Sequence, residues 1–205
     1  MKPKVKVCGI TTQEDAVLAE SLGADFIGFI FFQKSPRFVG ADRAADIVSH
    51  TRGIVKPVGV FVEEDFEAVK YAVERVGLSV VQLHGAQSAE FELRLKEDLG
   101  VEIWRAAWLD SPQDLEDIAA SASDKILVDS RLNGLTGGTG MRANWKLAAE
   151  LSARRRIVLA GGIGPDNVKE AVAKVNPWCI DVNSGVEISA GRKSKSKLKE
   201  FFERI

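Results

Sequence analysis

The chain has 205 residues, of which 45% are hydrophobic and 28% are charged, and its formal net charge at pH 7 is −1. This composition is typical of an ordinary globular protein, and the near-zero charge argues against a nucleic-acid-binding or membrane-surface protein. The chain enters a strand-like segment directly after residues 1–4, without the hydrophobic region of a signal peptide, and no apolar run has transmembrane length. Cys8 and Cys179 lie far apart without metal-ligand spacing, so we expect a cytoplasmic protein with no metal site. The sequence does not indicate an oligomeric state.

Short apolar runs alternate with amphipathic segments along the chain, and this pattern predicts eight strands, each followed by a helix. The predicted strands are residues 5–8, 26–31, 56–62, 80–84, 102–107, 125–129, 157–160 and 179–183. The predicted helices are residues 13–22, 43–50, 65–76, 89–99 and 112–122, one that begins near Trp145, one opened by Pro165, and residues 196–205. Thr11 and Glu14 have the spacing of a capping box at the first helix.

The eight strand–helix units follow one another without a linker or a change in composition, so we predict a single domain over residues 1–205. Strands that alternate with helices indicate parallel pairing through right-handed crossovers. Eight units in about 200 residues fit an α/β fold of the closed (β/α)8 TIM-barrel type better than an open doubly wound sheet. The open sheet stays the alternative, because periodicity counts elements without proving closure.

Cys8 ends the first predicted strand, directly before Gly9, at the position where α/β proteins place their chemistry. An isolated apolar cysteine is more often part of a core, but Asp129 ends the sixth strand in the same way. A cysteine and a carboxylate across a barrel mouth could act as base and acid on a small substrate. Lys6 shares the inward face with Cys8, where its charge would favour the thiolate. Such a lysine must be paired, and Asp181 and Asp129 are the candidate partners.

The loops after the seventh and eighth strands are the ones that hold phosphate in TIM barrels. Here they read Ala160-Gly161-Gly162-Ile163-Gly164-Pro165 and Asp181-Val182-Asn183-Ser184-Gly185-Val186. Glycines let backbone N–H groups approach an anion closely, and a helix start adds a favourable dipole. One glycine pair alone would indicate only a tight turn. The two loops together predict a substrate site that includes Gly161, Gly162, Asp181, Ser184 and Gly185.

Three further loops carry polar or glycine residues at the same end of the predicted barrel. Arg37 follows the second strand, and a guanidinium binds a planar carboxylate through two hydrogen bonds, although a surface arginine is the alternative. His84 faces the mouth if Gln82 points inward, and a structural hydrogen bond is as good an interpretation as a functional role. The glycine-rich segment 134–140 is typical of a lid or an anion cradle, or simply of a flexible loop.

Together these segments resemble the phosphoribosylanthranilate isomerase family of tryptophan biosynthesis. The matching stretches run in order over nearly the whole chain: Lys6-Val7-Cys8-Gly9-Ile10-Thr11, Gly28-Phe29-Ile30-Phe31-Phe32 with Lys34-Ser35-Pro36-Arg37, Val81-Gln82-Leu83-His84-Gly85, Val128-Asp129-Ser130 with Gly137-Gly138-Thr139-Gly140, Leu159-Ala160-Gly161-Gly162-Ile163, and Asp181-Val182-Asn183-Ser184-Gly185-Val186-Glu187. The resemblance implies a TIM barrel that rearranges N-(5-phosphoribosyl)anthranilate, an aldose, into a ketose without a metal or an organic cofactor.

The resemblance also implies a role for each matching residue. Cys8 would be the general base that removes the proton from C2 of the sugar, and Asp129 the general acid that protonates the furanose oxygen. Arg37 would bind the anthranilate carboxylate, and the two glycine loops the phosphate, with His84 among the substrate-binding residues. The chain departs from the family pattern at Asn183, where serine is common, at Asn144, where aspartate is usual, and over residues 190–194.

Three other functions compete with this interpretation. A barrel like that of the histidine-pathway ProFAR isomerase would be expected to have an aspartate where Cys8 stands. A pentose-phosphate epimerase would need a set of metal-binding histidines that the sequence lacks. A non-catalytic barrel that binds a phosphate ligand would keep the glycine loops without needing both Cys8 and Asp129.

Overall fold

The computed structural model describes residues 2–129 and 144–205, together with the backbone of Arg131–Leu132 and Leu135–Thr136. In this part of the chain, eight parallel strands close into a barrel in which each strand lies beside its neighbours in chain order. The strands are β1 Lys4–Val7, β2 Phe26–Ile30, β3 Lys56–Phe61, β4 Val80–Leu83, β5 Glu102–Ala107, β6 Lys125–Val128, β7 Ile157–Leu159 and β8 Cys179–Val182. Because β1 pairs with both β2 and β8, the predicted TIM barrel is confirmed and the open sheet is excluded.

A helix follows each barrel strand and packs on the outside of the barrel. The helices are α1 Gln13–Ser21, α2 Ala41–Ser49, α3 Phe66–Val76, α4 Ala89–Leu99, α5 Pro112–Ala119, α6 Trp145–Arg154, α7 Val168–Val175 and α8 Lys195–Arg204. After β8 the chain adds a single 3-10 turn, Ser184–Val186, and a two-stranded antiparallel hairpin of Glu187–Ser189 and Arg192–Lys193. Within the described ranges, no helix is long and apolar enough to cross a membrane.

Two of the predicted signals for helix starts are wrong. Thr12, not Thr11, caps α1, because its extended backbone lets its hydroxyl accept the N–H of Asp15 at 3.2 Å. The hydroxyl of Thr11 instead donates to a carbonyl of the hairpin after β8. Pro165 does not open α7, which begins three residues later, because residues 165–167 form a turn that precedes the helix.

Most predicted strands include one residue too many at the carboxyl end. Cys8, Phe31, Val62, His84, Asp129, Ala160 and Asn183 all lie just beyond the ladder of their strand. The sequence pattern continues through these positions because their side chains keep the alternating direction of the strand. As a result, all of these residues except Phe31, which packs in the core outside the barrel, face the mouth of the barrel.

Two layers of different polarity fill the barrel. Near the amino ends of the strands the interior is apolar, with Phe26 packed edge-on against Trp104 at a ring separation of 5.0 Å. Above this layer lie three buried polar side chains, Lys6, Gln82 and Asp181. The outward-facing strand residues form a second apolar core with the helices. Because buried polar groups must be hydrogen-bonded or paired, the polar layer marks the carboxyl end as the functional end.

Candidate active site

A cavity of about 310 Å³ opens at the carboxyl end of the barrel. Its walls come from the carboxyl ends of β1, β2, β3, β4, β6, β7 and β8 and from the loop after β2. Of the residues predicted for the site, it is lined by Cys8, Arg37, His84, Asp129, Gly161, Gly162, Asp181 and Ser184. Gly185 is not part of its lining. The structure therefore gathers residues from six separate segments of the chain around one space.

Lys6 and Asp181 form a buried ion pair directly beneath Cys8. The Nζ of Lys6 donates to Oδ2 of Asp181 at 2.9 Å, and the lysine side chain is completely buried. Burial alone would lower the pKa of Lys6, but its interactions with Asp181 and Cys8, of which the charge of Asp181 is the largest, together outweigh burial and raise this pKa. Of the two partners predicted for Lys6, the structure selects Asp181.

Cys8 lies at the end of β1 with its thiol in the polar layer. Burial raises the pKa of the thiol above its ordinary value, whereas the nearby ammonium of Lys6 lowers it. The ammonium of Lys6 thus acts in the predicted direction, but burial dominates and the net effect favours the neutral thiol of Cys8. Gly28 on β2 makes room for both groups, because an added Cβ there would lie 2.8 Å from Sγ of Cys8 and 3.0 Å from Cε of Lys6.

Asp129 lies across the cavity from Cys8. It follows β6, which is separated from β1 by β7 and β8 in the closed ladder, so the two residues stand on nearly opposite walls. Its backbone N–H donates to the carbonyl of Ala107 at 3.1 Å, which holds the turn beyond β6 in register with β5. A thiol and a carboxyl group thus face one space, as a base and an acid acting on a single small substrate require.

The loops after β7 and β8 lie side by side. An added Cβ on Gly185 would lie 2.0 Å from the carbonyl oxygen of Ile163, so only glycine allows this approach. Gly161 and Gly162 both have positive φ, 84° and 64°, which turns the chain immediately after β7. Among the described residues, no acceptor is bonded to the backbone N–H groups of Gly161, Gly162 and Ser184. Such groups at the edge of a cavity are suited to an anion.

Asn167 braces the loop after β7. Its side chain accepts the N–H of Gly164 at 2.9 Å and donates to the carbonyl of Gly162 at 2.8 Å. The sequence analysis missed this residue, although an asparagine two residues after Pro165 in a glycine-rich loop is the available signal. Because α7 begins only at Val168, well after Gly162, the anion-binding character of the loop rests on its own N–H groups rather than on that helix.

Arg37 reaches the cavity but is already paired. Its guanidinium forms a two-point salt bridge with Glu187, with Nε to Oε1 at 2.9 Å and Nη2 to Oε2 at 2.7 Å. Lys193 contacts the same carboxylate at 2.9 Å and also donates to the side chain of Asn183 at 3.0 Å. The sequence analysis had neither Glu187 nor Lys193 among the site residues.

His84 is held in its neutral form. Burial, helped by the charge of Lys6, lowers the pKa of His84 to about 4. One ring nitrogen contacts the side-chain amide of Gln82, which confirms that the two residues share the inward face of β4. A neutral imidazole can donate or accept a hydrogen bond here, but it brings no positive charge to an anion.

Of the segment 134–140 predicted as a lid or an anion cradle, the structure describes only the backbone of Leu135–Thr136, and the rest of the segment lies outside the described residues. In the described part of the chain, no three His, Cys, Asp or Glu side chains are grouped as metal ligands.

Comparison with known proteins places this geometry in one family. Residues 5–204 match the family model described as N-(5'-phosphoribosyl)anthranilate (PRA) isomerase. A relative of that name from Geobacter sp. (strain M21) is 41% identical over 198 residues, which are 97% of this chain and 95% of the relative. Another from Citrifermentans bemidjiense is 43% identical over 196 residues, 96% of this chain and 93% of the relative.

Solved structures give the same result. Phosphoribosyl anthranilate isomerase from Thermotoga maritima superposes with a TM-score of 0.91 at 33% identity, over 99% of this chain and 98% of that chain. Phosphoribosyl anthranilate isomerase in complex with reduced 1-(o-carboxyphenylamino)-1-deoxyribulose 5-phosphate superposes with a TM-score of 0.88 at 33% identity, with the same coverage. The chain therefore belongs to the N-(5'-phosphoribosyl)anthranilate isomerase family, the aldose–ketose isomerases of tryptophan biosynthesis.

Proposed function

We propose that this chain rearranges N-(5'-phosphoribosyl)anthranilate with Cys8 as general base and Asp129 as general acid. The observation that carries the assignment is that the two side chains line opposite walls of one cavity. The ribose would lie between them, so that its ring oxygen meets the carboxyl group and its C2 meets the thiol. Neither role needs any group beyond the side chains and the substrate.

The protein carries out two proton transfers in the proposed reaction. Asp129 gives its proton to the furanose oxygen as the C1–O bond breaks, and the anilino nitrogen then forms a cationic C1=N double bond. This positive charge acidifies the C2–H bond, and the thiolate of Cys8 takes that proton to leave an enolamine. Tautomerisation moves the proton of the C2 hydroxyl to C1 and gives the ketose. Proton exchange with solvent then restores the thiolate of Cys8 and the acid form of Asp129, so that the reaction is a net isomerisation. Losing either group should lower the rate by about 10²–10⁴.

The raised pKa of Cys8 constrains this scheme, because a base must first lose its own proton. The ammonium of Lys6 favours the thiolate, and the cationic intermediate adds a second positive charge beside it. Asp181 keeps Lys6 in place through the 2.9 Å contact, so that the ammonium stays near Cys8. Because the reaction needs the thiolate of Cys8 and the protonated carboxyl group of Asp129 together, the proposal expects a bell-shaped dependence of activity on pH.

We propose that the phosphate binds to the loops after β7 and β8 and the anthranilate carboxylate to Arg37. The N–H groups of Gly161, Gly162 and Ser184 support the first assignment, since they face the cavity without a bonded acceptor in the described chain. The guanidinium of Arg37 supports the second, because a guanidinium can hold a carboxylate through two parallel hydrogen bonds. Gly185 would contribute by keeping the two loops together, and His84 would contribute a neutral hydrogen bond.

We place the enzyme in the cytoplasm, since its two thiols are both unpaired. The direct test of the proposed function is to follow the loss of phosphoribosylanthranilate fluorescence with purified protein. The proposal expects turnover that Cys8→Ala and Asp129→Ala each reduce by at least about 10²-fold. A chain that binds the substrate without turnover would be a binding module, and the assignment would be wrong.

A further inference from the structure

A buried ionic cluster joins the loop after β2 to the hairpin after β8. Oε1 of Glu187 accepts from Nε of Arg37 at 2.9 Å, from Nζ of Lys193 at 2.9 Å and from the N–H of Gly191 at 3.2 Å. Oε2 accepts from Nη2 of Arg37 at 2.7 Å. Lys193 is anchored in turn by the side-chain oxygen of Asn183 at 3.0 Å. The carboxylate of Glu187 is therefore saturated with donors and fixed from several sides.

The burial of this cluster restricts the positions that its side chains can take. The side chain of Lys193 is fully buried, that of Glu187 is 5% exposed and that of Arg37 is 14% exposed. Burial raises the pKa of Glu187, but hydrogen bonds from Arg37 and the charge of Lys193 outweigh it, so this pKa is lowered. With two cations and one anion, the cluster keeps one positive charge next to the cavity. A buried charge is tolerated only when its partners are placed well, so this arrangement has little freedom.

Glu187 binds one edge of the Arg37 guanidinium and leaves another edge available to a ligand. The occupied edge is the one formed by Nε and Nη2. Within the described residues, Nη1 donates to no protein acceptor, and Arg37 lines the same cavity as Cys8. A guanidinium is planar with five donors in a rigid fork, so fixing one edge also fixes the direction of the Nη1–Nη2 edge.

We propose that Glu187 and Lys193 are positioning residues that present the Nη1–Nη2 edge of Arg37 to the carboxylate on the aromatic end of the substrate. The inference rests on the proposed function and deepens it, because it states how the site selects an ortho-carboxyl group. Glu187 does so without touching the substrate. Its own negative charge would repel a substrate carboxylate, so charge alone and positioning make opposite predictions when Glu187 is neutralised.

The test compares two probes that differ by one carboxylate. The first is reduced 1-(o-carboxyphenylamino)-1-deoxyribulose 5-phosphate, and the second is the same compound with an unsubstituted phenyl ring. Calorimetric titration of each protein with both probes gives two Kd values, and their ratio is the preference for the first probe. We expect the unaltered chain to bind the first probe more tightly than the second. In Glu187→Gln the ratio of the two affinities should be about tenfold smaller, which corresponds to about 1.4 kcal/mol. In steady state we expect Glu187→Gln to raise KM more than it lowers kcat.

Glu63→Gln is the matched control. Glu63 pairs with Lys34, another cation that lines the cavity, at 3.2 Å, but both partners are exposed and neither contacts Arg37. This variant removes the same charge near the same opening and should keep the preference within about twofold. A merely structural role of Glu187 would weaken both probes equally, and a purely electrostatic role would increase the preference in Glu187→Gln. Either result overturns the proposal.

The unaltered chain separates the remaining outcomes. If it does not prefer the carboxylate probe, the proposed role of Arg37 is wrong and the positioning role of Glu187 is wrong with it. If it has that preference and Glu187→Gln keeps it, only the positioning role is wrong. Should Glu187→Gln not fold, a crystal structure of the unaltered chain with the carboxylate probe decides. Retention of the Arg37–Glu187 salt bridge with Nη1 on the probe supports the proposal, and an Arg37 that leaves Glu187 to reach the probe overturns it.

Discussion

Replacing Lys6 by methionine should make Cys8 harder to ionise. An added Cβ on Gly28 would lie 2.8 Å from Sγ of Cys8 and 3.1 Å from Nζ of Lys6, so the thiol and the ammonium are close neighbours. Two unit charges about 5 Å apart attract by roughly 3 kcal/mol at an effective dielectric constant of ~20. Since 1.36 kcal/mol corresponds to one pKa unit, the pKa of Cys8 should increase by about 2 at most.

The size of this change in the pKa of Cys8 depends on whether Asp181 stays charged in Lys6→Met. Without Lys6 its carboxylate would be buried and unpaired, so we expect it to take up a proton rather than repel the Cys8 thiolate. The double variant Lys6→Met/Asp181→Asn removes both charges at once and serves as the control, with a Cys8 pKa close to that of Lys6→Met. If Asp181 instead stays charged in Lys6→Met, the single variant will have the higher thiol pKa of the two.

The assay is the pH dependence of thiolate absorbance, with Cys8→Ala as the background that removes the contribution of Cys179. The reaction needs the Cys8 thiolate and a protonated Asp129 at the same time, so kcat/KM should be bell-shaped with pH, and because burial raises the pKa of Cys8 its alkaline limb should lie at high pH. In Lys6→Met this alkaline limb should move to still higher pH. An unchanged thiol pKa in Lys6→Met would refute the electrostatic role of Lys6, whatever happened to the rate.

Three further predictions concern the rim of the barrel. Gly9→Ala should destabilise the fold by about 1–3 kcal/mol in chemical denaturation, because φ is +69° and the new Cβ would lie 2.6 Å from Oδ1 of Asn183; unchanged stability would contradict this. Gly185→Ala should weaken the binding of inorganic phosphate by at least about tenfold, a loss of about 1.4 kcal/mol. The reason is that the new Cβ would lie 2.0 Å from the carbonyl oxygen of Ile163 and would push the two loops apart. Equal affinity for phosphate in calorimetry would exclude a phosphate site formed by the two loops together. His84→Asn should leave the pH dependence of kcat/KM between pH 5 and 7 unchanged, because the pKa of His84 is lowered to about 4; loss of a titration in that range would show that the histidine is charged.

The fold and the centre of the site follow from local sequence patterns. Each strand is a short apolar run that ends at a turn, so its carboxyl end can be located without knowing its neighbours. Closure then brings all carboxyl ends to one rim, which is why Cys8 and Asp129 could be assigned to one site although they are far apart in the chain. Lys6 was placed inward by strand period alone, and its need for a carboxylate followed from burial.

The contacts of Arg37 could not be predicted in the same way. Its partner Glu187 lies 150 residues away, and no spacing rule connects the loop after β2 with the hairpin after β8. The sequence analysis placed Lys193 in a segment that departs from the family pattern, whereas the structure buries it beside Glu187. Long-range ionic contacts depend on where loops pack, and loop packing is set by tertiary structure rather than by local periodicity.

The capping residue of α1 was predicted wrongly for a more local reason. Thr11 and Thr12 are both able to cap a helix, and their spacing to Glu14 and Asp15 is the same, so the sequence allows either. The hairpin after β8 engages the hydroxyl of Thr11, which leaves Thr12 as the cap. The choice between adjacent equivalent residues thus depends on a tertiary contact.

The most direct test of the catalytic assignment is steady-state turnover of phosphoribosylanthranilate by Cys8→Ala, Asp129→Ala and the double variant. Each variant is first titrated with reduced 1-(o-carboxyphenylamino)-1-deoxyribulose 5-phosphate to show that the site still binds. We expect kcat to be lower by about 10²–10⁴ in each single variant, with affinity for the probe little changed. Turnover at the unaltered rate in either variant that still binds the probe would contradict the assignment of a thiol base and a carboxyl acid acting on one ribose.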